Sequence, residues 1–245
     1  MKKNILVFAL FVFCNITFAQ QQEKQNNDSF VFWQPGIKIT ADMFQGEYNE
    51  EIANKFKKDN RTAYCCTSRR SILDIPKKKK DYKTDEKAYF CPILDKSKSF
   101  FFNDIDTTEI KYAQFIFDLT ELSARYARIF LANQQHEMDS ISGNHSTGVV
   151  AIFYTTAKNV SEEYFYNMYN LFLNDVVLPK DSIKYAKYRN TIDSLLDETK
   201  EFATTNEDCQ RFMTNAPLSK KLKTATYTIG DLRKNNAKEE DNTEE

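Results

Sequence analysis

One segment limits the fold more than any other. From Asp106 to about Gln135, apolar residues recur at Ala113, Ile116, Phe117, Ala124, Ala127 and Leu131, with Thr120 on the same stripe. Three-and-four spacing of this kind is the period of an amphipathic α-helix. Asp106 or Thr107 can cap its start, and Glu109 lies in the first turn, where a negative charge faces the positive end of the helix dipole. Glu121 and Arg125 stand four residues apart and are expected to pair on its surface. A helix this long needs a broad apolar surface to cover its stripe.

The first half of the chain can supply that surface as strands. Phe30 to Trp33 is an aromatic run closed by the turn signal Pro35-Gly36. Ile37 to Phe44 opens with alternating apolar and polar residues, and a polar stretch follows to about Asn60. Thr62 to Ile75 is enriched in strand formers, Pro76 and Lys77 to Lys80 form a solvated hairpin tip, and Ala88 to Leu94 returns. Ser97 to Phe102 continues the sheet or starts another strand. After the long helix, Gly148 to Tyr154 reads as a short apolar strand or buried segment. Ser161 then caps a second helix that ends at Leu178-Pro179. Asp181 or Ser182 starts a third, with Ile183, Ala186, Ile192, Leu195, Leu196 and Phe202 on one stripe. The expected fold is α+β, a small, mainly antiparallel sheet packed on the long helix with additional C-terminal helices. Residues 30–232 form a single domain in this reading, and 233–245 an acidic disordered tail.

The N-terminus reads as a secretory signal over residues 1–19. Lys2 and Lys3 precede an apolar run from Ile5 to Phe13, and Thr17-Phe18-Ala19 offers a cleavage site. The run is too short for a bilayer that needs about twenty residues, and no later segment is apolar enough to span one. Residues 20–29 are then a polar leader. The chain left after cleavage, about 225 residues, can bury one substantial core. Cleavage removes two lysines from 34 basic residues set against 35 acidic ones, so the balance stays slightly acidic. That argues against a nucleic-acid partner. With 5 glycines, there is little from which to build phosphate-binding loops.

Four cysteines follow the signal: Cys65, Cys66, Cys91 and Cys209. An even number in an exported chain permits two disulfides. Cys65 and Cys66 are neighbours and would be strained as a pair, so the expected pattern joins one to Cys91 and the other to Cys209. Buried free thiols are the alternative. The two histidines, His136 and His145, lie nine residues apart near Asp139, which is not helix-face spacing for a metal.

Four short pieces, in order, resemble a family of secreted bacterial proteins regarded as zinc-protease-like, the DUF922 type. Trp33 is followed by Ile39-Thr40-Ala41-Asp42-Met43-Phe44-Gln45-Gly46. Tyr64 to Ile72 resembles the family's Ala-x-Thr-Ser-x-x-Ile strand, and Lys98-Ser99-Phe100 its Lys-Ser-Trp strand end. The fourth piece is Tyr112 to Arg125, similar to a helix that in the family reads His-Glu-Gln-x-His-Phe-Asp-Ile-x-Glu-x-x-Ala-Arg. Gln114, Phe117, Asp118, Glu121, Ala124 and Arg125 are in register.

The departures bear on function. Two histidines four apart on a helix hold zinc, and the glutamate between them activates the bound water. Those positions here are Tyr112, Ala113 and Ile116. Isoleucine cannot ligate zinc and alanine cannot accept a proton. The family's later histidine-bearing segment has its nearest counterpart at Leu196 to Phe202, which has no histidine. The resemblance therefore implies a zincin-like scaffold with no catalytic, metal or cofactor residues left. The expected role is an exported pseudoenzyme that binds an unknown protein or envelope component. A secreted hydrolase with an unrecognised active site is the other reading.

Overall fold

The computed structural model describes residues 29–78, 84–226 and 228. Along the chain lie β1 (Phe30–Phe32), α1 (Glu50–Lys57), β2 (Ala63–Tyr64), β3 (Thr67–Pro76), β4 (Lys87–Asp95), β5 (Phe100–Phe101), α2 (Thr107–Ser142), α3 (Val149–Phe172), α4 (Ser182–Glu198), α5 (Asn206–Thr214) and β6 (Leu222–Thr224). The class is α+β, with a long helix packed on a small antiparallel sheet and further helices after it. The expected signal peptide, the leader as far as residue 28, the acidic tail and part of the lysine run lie outside the described residues. No helix among the described residues is long and apolar enough to cross a membrane.

The main sheet has the order β1-β4-β3-β6. β3 and β4 form a long hairpin in which Thr67 faces Leu94 and Asp74 faces Lys87. Every residue of β4 from Tyr89 to Asp95 is buried, which suits its nearly unbroken apolar run. Pro92 ends the pairing with β1. Trp33 donates its N–H to the Pro92 carbonyl at 3.1 Å. Pro92 has no N–H to return, so the ladder stops and the chain turns at Pro35-Gly36. A second, two-stranded ribbon joins β2 to β5. α1 covers it by burying Ala53 against Phe100 and Phe102. Asn49 caps α1 by accepting the Ile52 N–H at 3.0 Å, within a stretch whose sequence reads only as polar.

α2 starts at the expected cap, where Asp106 accepts the Thr108 N–H at 2.7 Å. It runs past Gln135 to Gly143, whose φ of 68° closes the helix in the left-handed region. Its expected stripe meets the sheet except at Ile116, which packs on the opposite face: Ala113 and Phe117 pack with Val31, Trp33 and Leu94, and Ala124, Ala127 and Leu131 pack with Leu73 and Phe90. The opposite face is also covered. Phe115, Leu119 and Leu122 pack against Phe172, Val176, Val177 and Ile192. The amphipathic pattern thus describes only half of the helix's burial. The Glu121–Arg125 pair forms at 2.8 Å, but in the interior rather than on the surface, with side chains 0% and 2% exposed.

The segment expected as a strand from Gly148 to Tyr154 is instead the start of α3. Gly148, at φ 88°, precedes the helix, and Ser161 lies inside it rather than at its cap. A short apolar run has no decisive period of its own. Here Val149, Tyr154 and Ala157 face the core while Ile152 is exposed, as a helix requires. Ser161 donates its hydroxyl to the Ser123 carbonyl and so ties α3 to α2. α3 passes through a π-helical turn at Leu173–Val177. Asp181 then caps α4, accepting from Ile183 and Lys184 N–H groups at 2.9 Å each. On α4 only Ile192 is fully buried, and Ile183 is exposed rather than on the core stripe.

All four described cysteines are thiols. Cys91 and Cys209 lie side by side, both fully buried, in a cluster with Phe32 and Ile93. Cys65 packs elsewhere, with Leu94 and Trp33. Arg70 faces Cys91 across the hairpin and Cys66 lies four positions before Arg70, about 13 Å along the strand at the usual rise, too far for direct bridging to Cys91. The expected joining of one neighbour to Cys91 and the other to Cys209 does not match this arrangement.

Candidate functional site

The three positions that the resemblance sets against the lost motif, Tyr112, Ala113 and Ile116, have different surroundings. Ala113 is fully buried beside Trp33 and Phe117. Ile116 is 6% exposed and packs into the cluster with Phe172 and Val177. These two positions are filled by core packing. Tyr112, also 6% exposed, stacks edge-on with Phe172 at 5.6 Å and lines a cavity of about 280 Å³. Among the described residues no group of three or more His, Cys, Asp or Glu is placed to hold a metal ion.

The residues that carry the resemblance meet in a buried polar network. The Trp33 indole donates to Asp118 at 2.8 Å, and Gln114 and Arg189 donate to the other Asp118 oxygen at 3.0 and 2.7 Å. Gln114 also accepts the Ile39 N–H at 2.8 Å, which pins the loop after β1 to α2. One turn on, Glu121 accepts from Arg125, from the Thr204 N–H and from the Thr204 hydroxyl. Arg125 reaches the Leu196 carbonyl and the Thr199 hydroxyl, and its guanidinium lies over the Trp33 ring. The structure thus brings Leu196 to Phe202 beside α2, at Arg125 and Arg128. Each of these polar groups is spent on holding elements together. Gly46 and Ser99 interlock in the same way. Gly46 donates its N–H to the Ser99 carbonyl at 2.7 Å, and the Ser99 hydroxyl accepts the Cys66 N–H at 2.9 Å.

The cavity sits at the N-terminal end of α2. Its walls come from three separated segments: Asn60 and Thr62 before β2, Asp106 to Tyr112 on α2, and Val177 to Tyr185 around the start of α4. Behind it, Arg61 and Glu109 form a buried ion pair at 2.7 Å, both side chains 3% exposed. Burial pushes the Glu109 carboxyl above the usual carboxylate range, against the pull of Arg61. Asp106 spends its carboxylate on the Thr108 N–H and on the Thr62 hydroxyl, the latter at 2.9 Å, and these bonds hold its pKa down despite partial burial. The Asp106 and Asp181 caps occupy the first N–H groups of α2 and α4. Burial, with Glu109 nearby, pushes the Tyr112 phenol above its ordinary value, so it stays a hydrogen-bond donor at neutral pH.

Sequence reasoning picked out Tyr112 but missed Arg61, Lys111, Lys180 and Tyr185. Nothing in the local pattern links residues 60–62 with 177–185. Lys180 is held at φ 56° in the turn before α4, which only the structure reveals.

The histidines form no joint site. His145 is held between Asp139 at 3.1 Å and Asp85 at 2.9 Å, and His136 is exposed on α2. Comparisons with protein-family models, with curated proteins and with solved structures find no match for this chain.

Proposed function

We propose that this chain is an exported, non-catalytic binding protein on a zincin-like plan, whose partner is a protein or envelope component. The observation that supports this reading is the packing of Ala113 and Ile116. Both sit where the resembled family carries chemistry, and both are closed into apolar core. The flanking polar residues Gln114, Asp118, Glu121 and Arg125 serve as interior ties instead. Buried histidines without a metal are costly, and apolar replacements restore packing. Export rests on the N-terminal pattern that ends at Ala19.

The test is chemical. Purified protein is assayed for bound zinc by elemental analysis and for cleavage of a denatured protein substrate. The expected result is no stoichiometric zinc and no zinc-dependent hydrolysis. Stoichiometric zinc together with peptide hydrolysis would overturn the reading. N-terminal sequencing of the exported product is expected to begin at Gln20.

A further inference from the structure

The Tyr112 hydroxyl forms no hydrogen bond among the described residues; the residue as a whole is 6% exposed and lines the cavity, and its oxygen is not among the fully buried unpaired atoms, so it opens onto that space. A buried phenol normally finds a partner. Here an acceptor can reach it through the open space of the cavity, as water or as a ligand. Lys111 and Lys180 line the same cavity, are exposed, and form no ion pair among the described residues. Of the two carboxylates in the wall, Glu109 is neutralised by Arg61, while Asp106 is hydrogen-bonded by Thr62 and the start of α2 and keeps its charge. Val177 and the rings of Tyr112 and Tyr185 give the cavity an apolar wall, with the two rings 5.9 Å apart. The groups offered to a ligand are therefore two ammonium ions, the Tyr112 and Ser182 hydroxyls and an apolar surface, beside the one uncompensated carboxylate of Asp106.

We propose that this cavity binds an organic carboxylate carrying an apolar or aromatic group, either a free acid or the C-terminus of a peptide. The carboxylate lies between Lys111 and Lys180, and the ligand supplies the acceptor that Tyr112 lacks. A cavity of about 280 Å³ is at the small end of ligand sites, which suits a single aromatic acid or one terminal residue. The inference rests on the reading of the chain as a binding protein. The two fail separately: zinc-dependent hydrolysis overturns that reading, whereas the titrations below bear on the ligand alone.

The experiment titrates purified protein, observed by amide NMR, with four probes: 3-phenylpropanoate, its primary amide, N-acetyl-Gly-Phe, and N-acetyl-Gly-Phe amide. Saturable shifts confined to residues 60–62, 106–112 and 177–185 are expected with an acid, and at least about tenfold weaker binding with its amide. If 3-phenylpropanoate is the tighter acid the source is a free acid, and if N-acetyl-Gly-Phe is tighter it is a peptide terminus. Tyr112→Phe is expected to weaken the better acid about fivefold to tenfold, the scale of one hydrogen bond. Lys180→Met is exposed and spares the fold, and is expected to erase much of the preference for acid over amide. Equal binding of acids and amides, shifts elsewhere on the protein, or no saturable binding of either acid overturns the proposal.

Discussion

The Trp33 indole N–H donates to Asp118 at 2.8 Å, joining the end of the first strand to the middle of the long helix across 85 residues. The same carboxylate holds Arg189 of α4 at 2.7 Å. One side chain therefore ties the sheet, α2 and α4. Replacing Asp118 by Ala leaves the indole unpaired and takes from Arg189 one of its two carboxylate partners, Asp193 remaining at 2.6 Å. The expected loss is about 2 kcal/mol, the scale of a buried donor left unsatisfied, measured by urea unfolding. A loss below about 1 kcal/mol would show that water replaces the carboxylate without penalty.

Gly46 is required by space rather than by backbone freedom. A Cβ there would lie 2.8 Å from the Ser97 carbonyl oxygen and 2.9 Å from the Lys98 carbonyl carbon, both backbone atoms. Gly46→Ala is expected to cost about 1–3 kcal/mol by overpacking and to weaken the Gly46–Ser99 hydrogen bond. Thermal denaturation reads the first effect, and amide exchange at Gly46 the second.

Cys91 on β4 and Cys209 on α5 are neighbours in the fold, 118 positions apart in sequence. Burial pushes the Cys91 thiol well above its ordinary value, so little thiolate forms in the folded protein. A bridge would have to form before the fold closes. Peptide mapping of protein made in an oxidising compartment, without reductant, is expected to find Cys91 linked to Cys209. Closing a loop of this size corresponds to about 4–5 kcal/mol in the chain-entropy view, so reduction is expected to lower the melting temperature. Linkage of either residue to Cys65 or Cys66 would contradict the structure.

His145 sets a pH dependence. Hydrogen bonds to Asp85 and Asp139 raise its pKa above the ordinary 6.5. A raised folded pKa means that protonated His145 favours the folded state. Its contribution is complete below about pH 6.5, the unfolded value. It is lost as the pH rises through the folded pKa. Asp139 is lowered, first through the Ser146 N–H and then through His145, so its share is lost as the pH falls through its own folded pKa. Wild type minus His145→Gln, compared as melting temperature against pH, is expected to shrink from mildly acidic to alkaline pH. A difference that does not vary with pH would count against the pairing.

The sequence makes α2 legible because its cap and its period agree, and the same holds for the β3–β4 hairpin and the start of α4. Other elements stay hidden for local reasons. Val149 to Tyr154 is apolar enough for a strand, and only tertiary packing chooses the helix. α5 is nine residues long and rests on a Thr205–Asp208 capping box, a signal too short to stand out. The buried place of Glu121 and Arg125 could not be read from their spacing, which suits a surface pair equally well. The cavity was visible only through Tyr112, because its other walls come from segments more than 40 residues away along the chain.

α2 is one continuous helix in two environments. From Tyr112 to Leu131 it is enclosed by sheet and helices, while from Ala132 to Ser142 no residue is fully buried. Amide exchange in a protein follows local opening, and buried segments exchange only when the whole domain unfolds. The inner turns should thus be as protected as the core itself, and the outer turns should open singly. The link from His145 to Asp85, and that from the Gly148 N–H to Glu86 at 3.0 Å, secure the outer end to the residues just before β4. The order of that end is therefore governed by exposed charges rather than by the hydrophobic interior. Salt, which screens such contacts, should loosen it without disturbing the enclosed half.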